Sequence, residues 1–97
     1  MEAVPNYLVE TYLARGRAGE RAARERRARS AAEDLTDGRT RVRFDRSIYV
    51  PEDEICFFVF DAPSSRAAAL AAQVAELGTL RIVEAVSSDN SDREEER

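Results

Sequence analysis

Hydrophobic and polar positions along the chain divide into four short strand-like segments and two longer helical ones. The first strand is read at Asn6 to Leu13, where Leu8, Glu10 and Tyr12 alternate with Tyr7, Val9, Thr11 and Leu13 on the opposite face. From about Gly19 to Leu35 the composition favours helix, and Ala22, Ala28, Ala31, Ala32 and Leu35 form a shallow apolar stripe. Alanines of this kind let a helix lie close to a sheet but bury little area. Asp37 and Gly38 mark a turn into a second strand, Thr40 to about Val50, which is long enough to bend near Asp45 to Ser47. Pro51 suits the first central position of a type I turn, with Glu52 and Asp53 at a solvated tip. A third strand follows from Ile55 to Ala62. Ala62, Pro63 and Ser64 then resemble a helix start, and Ala67, Leu70, Ala71, Val74 and Leu77 recur at helical spacing up to Gly78, which is placed to end the helix. Leu80 to Val86 is the closing strand.

The order βαββαβ implies an α+β fold of ferredoxin-like plan, a four-stranded antiparallel sheet with both helices on one face. In that plan the first and third strands are central. The third strand agrees, because Ile55, Cys56, Phe57, Phe58, Val59 and Phe60 leave no polar position until Asp61. Both faces of such a strand need cover, and two helices supply cover for one. A second copy of the chain packed sheet to sheet would close the other, giving a homodimeric α/β barrel. The register of the third strand is not fixed by its pattern; if Val9 and Ile55, Phe57 or their neighbours face the helices, then Leu8, Glu10 and Tyr12 face the opposite side. Residues 1–86 are thus read as one domain, and 87–97, SSDNSDREEER, as a polar tail too poor in apolar side chains to pack and expected to be disordered.

Charge changes this picture little. The 97 residues carry a formal net charge of -4, and all 15 basic residues are arginine. Arg15 to Arg46 holds eleven arginines against six acids, leaving the remainder strongly acidic. Glu20, Glu25, Glu33 and Asp34 interrupt that basic run and no aromatic residue stacks within its helical part, so a solvated helix face is expected and a nucleic-acid partner is not. The single Cys56 has no intramolecular disulfide partner and lies in the most apolar strand, where it reads as a small buried hydrophobe. No apolar leader and no run of 18 apolar residues occurs, so a cytoplasmic protein with no membrane partner is expected.

Tyr7 to Leu13 (YLVETYL), Val42 to Phe57 (VRFDRSIYVPEDEICF) and Phe60 to Ser64 (FDAPS) together resemble the signature of a small bacterial ferredoxin-like family of unknown function, some of whose members are described as nickel-binding proteins. The closing strand Arg81 to Val86 is similar as well, so the resemblance spans roughly residues 6 to 86. It implies the same fold, a homodimer, and a metal-binding function of nickel type. The family often places a second cysteine two positions after the first; Phe58 stands there in this chain, which removes a soft ligand.

Candidate chemistry concentrates on a few polar residues within apolar strands. Glu10 interrupts the first strand, Arg43 the second and Glu84 the fourth, and a polar patch of the three would place Glu10 and Glu84 as metal ligands or as general acid and base, with Arg43 holding an anion. The structural alternative is a Glu–Arg pair with an edge carboxylate in water. Tyr12 and Tyr49 offer phenolic groups to a ligand or simply pack. Among the acids at the Pro51 turn, Glu54 is the best placed to ligate a divalent metal, with Cys56 as the only thiolate. Nickel favours imidazole, and the chain has no histidine. The absence of histidine also removes Ser-His and Cys-His nucleophile pairs, and no phosphate-binding glycine loop occurs. The expectation is a small homodimeric binding protein that takes a small ligand or a divalent metal at the sheet face; the alternative is a cofactor-independent enzyme of cyclase or isomerase type.

Overall fold

The computed structural model describes residues 5–86, so the tail read at 87–97 lies outside the described residues. Its strands are β1 (Asn6–Tyr12), β2 (Arg43–Val50), β3 (Ile55–Asp61) and β4 (Thr79–Ala85); its helices are α1 (Arg21–Asp37), entered through a 3₁₀ turn at Arg15–Glu20, and α2 (Ser65–Val74). The sheet order is β2-β3-β1-β4, every neighbour antiparallel, which is the ferredoxin-like arrangement with the first and third strands inside. No helix among the described residues is long and apolar enough to cross a membrane.

Pairing with β1 decides the register of β3. Tyr7 lies opposite Phe60, Val9 opposite Phe58 and Thr11 opposite Cys56, and these six side chains form the helix-side core, each buried or fully enclosed. The interleaved set, Leu8 with Val59, Glu10 with Phe57 and Tyr12 with Ile55, faces the other way. Ile55 and Phe57 therefore lie on the face away from the helices, opposite to the register that would place them with Val9. Phe44 joins the core from β2, its ring 5.5 Å from that of Phe60 and 6.1 Å from that of Phe58. The expected bend in β2 is a bulge at Asp45, where the register with β3 shifts between Phe44 and Arg46.

The helices meet the sheet through alanine. Ala28, Ala31 and Ala32 of α1 and Ala67, Ala68, Ala71 and Ala72 of α2 are buried, whereas Leu70 and Val74 are 41% and 49% exposed, so the expected stripe on the second helix is rotated toward the smaller residues. Ser64 starts α2 as anticipated, its hydroxyl accepting from Ala67 N–H at 3.1 Å. α1 ends at the expected Asp37–Gly38 turn, where the left-handed residue is Arg39 (φ 82°), with Thr40 N–H bonded to Leu35 O. α2 stops earlier than expected: Glu76 (φ 58°) closes it, with Leu77 N–H bonded to Ala72 O, and Gly78 (φ 72°) takes a second left-handed position beyond it.

Candidate functional site

The face turned away from the helices is the natural place for function. Leu8, Phe57 and Val59 from the central strands and Ile48, Val50 and Val83 from the edges build an apolar centre, with Ile48 39% exposed and Phe57 half-buried. Charged residues rim it in pairs. Glu10 and Arg81 lie directly opposite each other across β1 and β4, and Arg81 Nε donates to Glu10 Oε1 at 3.0 Å. At one end, Asp61 accepts from both Asn6 and Arg43. At the other, the Glu54 carboxylate accepts from the Tyr12 hydroxyl at 3.2 Å and from Arg15 N–H at 3.0 Å.

Glu54 owes its position to the turn before it. Asp53 N–H bonds to Val50 O and Glu54 N–H to Pro51 O, which is the Pro51 turn anticipated, and the chain then enters β3 through Glu54 at φ 56°. The N–H of Arg15, more than the Tyr12 hydroxyl or the Arg15 charge, holds the Glu54 carboxyl below the usual carboxylate range. The same carboxylate, chiefly through its charge, raises the Tyr12 hydroxyl above the ordinary phenol.

The polar patch of Glu10, Arg43 and Glu84 does not assemble. Glu84 pairs with Tyr7 in register and so sits on the helix side of the edge strand, exposed, on the opposite face from Glu10. Arg43 shares the face with Glu10 but stands four residues along and two strands across the sheet, roughly 16 Å away at strand spacing, and is engaged by Asp61. Acid–base action by Glu10 would first require its release from Arg81. Among the residues expected to contact a ligand, Glu10, Tyr12 and Arg43 thus share the open face. Tyr49 does not: it pairs with Cys56 on the helix side, donates to Leu13 O at 2.8 Å and lies beneath the Arg21 guanidinium, 5.9 Å from its ring centre.

The metal donors do not converge either. Cys56 is fully enclosed in the helix-side core, where burial pushes its thiol above the ordinary value, and Glu54 is committed to Tyr12 and Arg15. No group of three His, Cys, Asp or Glu side chains among the described residues is arranged to hold an ion. The residues present do not fit a nickel-type centre within one chain.

Residues outside the expected set complete the polar architecture. Arg81 and Asp61 were legible only through register, since each answers a charge on a neighbouring strand. Ser47 is another: buried on β2, it accepts from Arg21 Nε at 2.8 Å and donates to Glu25, joining α1 to the sheet. A polar residue in a strand near charged helix positions is the only signal the sequence offers for it. Comparison with protein-family models, with curated proteins and with solved structures finds no match to this chain.

Proposed function

We propose that this protein is a homodimeric binding protein, two copies meeting through the open faces of their sheets and enclosing a small organic ligand between them. The observation that carries the proposal is the apolar centre of that face, in which Phe57, Ile48, Leu8 and Val83 lie side by side around the buried Val59 with no layer over them among the described residues. An uncovered sheet face of this kind is the usual partner surface in two-layer domains. Charge is also suited to self-association: the rim presents Glu10 with Arg81 and Asp61 with Arg43, so a two-fold copy meets no excess of either sign. The resemblance carried by Val42 to Ser64 supports the same assembly. A ligand there would rest an apolar body on Phe57 and Ile48 and find polar contacts at Tyr12 and the Glu10–Arg81 pair.

Sedimentation velocity tests the assembly. The wild-type chain of 10.9 kDa is expected at twice that mass. Phe57→Arg and Ile48→Lys, which place charge on the half-buried and exposed centre of the face, are expected to run as monomers with the far-UV spectrum retained. A wild-type monomer at about 100 µM, far above the dissociation constant of a stable dimer, would overturn the proposal. Native mass spectrometry of the purified dimer reads the ligand directly as added mass that the monomeric variants lack.

A further inference from the structure

A groove of about 530 Å³ lies between the C-terminal half of α1 and the start of the edge strand β2. Its floor is apolar and firm: Ala32, Val42 and Phe44 are all buried. Thr36 fixes its depth, its hydroxyl donating to Val42 O at 2.8 Å and accepting from Val42 N–H at 3.1 Å, which ties the last turn of the helix to the strand. Five exposed charges stand around that floor, Arg29, Arg41 and Arg43 of one sign and Glu33 and Asp37 of the other; Arg43 is held by Asp61, which leaves four. The Arg29 guanidinium lies over the Phe44 ring, 5.4 Å from its centre.

What distinguishes the groove is that these opposite charges do not neutralise one another. Arg29 and Glu33 are one helical turn apart, yet none of the four takes part in an ion pair among the described residues. Arginine on the N-terminal side of glutamate is the weaker orientation for such a pair, which is consistent with its absence. A simple anion entering the groove would meet two carboxylates, and a simple cation two guanidiniums. A ligand carrying both charges a few ångströms apart satisfies both sets, and an apolar body between or beside them covers the floor. Asp37 also ends α1, where the negative end of the helix dipole reinforces its preference for a cation.

We propose that this groove binds a zwitterionic amino acid with an apolar side chain, its carboxylate toward Arg29 and Arg41, its ammonium toward Glu33 and Asp37, and its side chain against Val42 and Phe44. The volume lies within the ordinary range for small-molecule sites and exceeds what one amino acid fills, so a dipeptide would also enter. The floor of the groove is on the helix side of β2, whereas the dimer face is on the other and shares only Arg43 with it, so with Arg43 left unaltered the two sites are tested separately.

Amide NMR titration with L-phenylalanine, phenylacetate and phenethylamine tests the assignment. L-Phenylalanine is expected to shift resonances within residues 29–44, in wild type and in Phe57→Arg alike. Phenylacetate, which lacks the ammonium, and phenethylamine, which lacks the carboxylate, are each expected to bind about tenfold more weakly or worse, the loss typical of an unanswered charged partner. Arg41→Gln and Asp37→Asn should each weaken L-phenylalanine by a similar factor, while Glu10→Gln leaves it unchanged. The proposal is overturned by an absence of shifts at about 10 mM L-phenylalanine, the affinity floor for a specific small-molecule site, by equal binding of either analogue, or by shifts confined to the sheet face.

Discussion

At Glu54 one side chain performs three tasks: it takes the left-handed backbone that leads into β3, it accepts the N–H of Arg15, and it anchors the Tyr12 hydroxyl. Its carboxyl is held below its ordinary value, so its contribution to stability is present above the unfolded-state value near 4.3 and is lost as pH falls through the lower folded value. Glu54→Gln should therefore be less stable than wild type at neutral pH, with the gap closing in acid, as read by denaturant unfolding across pH. The same substitution removes the main cause of the raised Tyr12 hydroxyl, so one tyrosine should titrate at lower pH by ultraviolet absorbance. Cys56 gives a complementary expectation at this scale. Enclosed beneath the helices, with its thiol pushed up by burial, it should react with a disulfide reagent only as the protein opens, and rapid stoichiometric labelling of the native state would contradict its placement.

Among the elements, α1 shows how far arginine carries this fold. Its buried residues are three alanines, which give little hydrophobic attachment. Arginines supply the rest: Arg21 reaches Ser47 on β2, Arg24 donates to Tyr12 O at 3.0 Å, and Arg27 donates to Ala75 O at 2.8 Å and Glu76 O at 3.3 Å, covering the C-terminal carbonyls of α2. Arg27→Ala should cost about 1–2 kcal/mol in denaturant unfolding, as the loss of charged hydrogen bonds to part-buried carbonyls predicts. Each helix also ends on a non-glycine residue in the left-handed region. Arg39→Gly and Glu76→Gly should each gain up to about 1 kcal/mol, provided the capping bonds to Leu35 and Ala72 are kept. These arginines look like a solvated face in the sequence because guanidinium reach to a backbone carbonyl leaves no periodic trace. By contrast, the strand order and the placement of Leu8, Glu10 and Tyr12 on one face were legible, since Glu10 interrupts an otherwise apolar strand and thereby labels a face of β1. The third strand has no such label. Six consecutive apolar residues are compatible with either register, and only pairing with β1 sends Cys56, Phe58 and Phe60 inward. The same loss of information scattered the candidate site, because Glu84 shares neither face nor row with Glu10.

For the whole molecule, the question is how one thin core holds so small a chain. Phe44, Phe58, Phe60, Tyr7, Val9, Leu13 and Leu77 are its large buried members, and the helix contribution is mostly methyl groups. Domains of this size bury a modest fraction of their surface, so covering the open face is the largest remaining source of stability. If the dimer supplies that cover, unfolding and dissociation are linked by mass action, and each tenfold rise in protein concentration stabilises the native dimer by about 1.4 kcal/mol. Shared between two chains, this should raise the thermal midpoint by about 3–5 °C per tenfold, given the unfolding entropy of a domain of this length. Phe57→Arg should unfold at a lower temperature that does not depend on concentration, because its helix-side core is intact while its association is lost. A wild-type midpoint that is also independent of concentration would place the stability within the single chain, and the alanine-lined helix layer would then have to be sufficient without a partner.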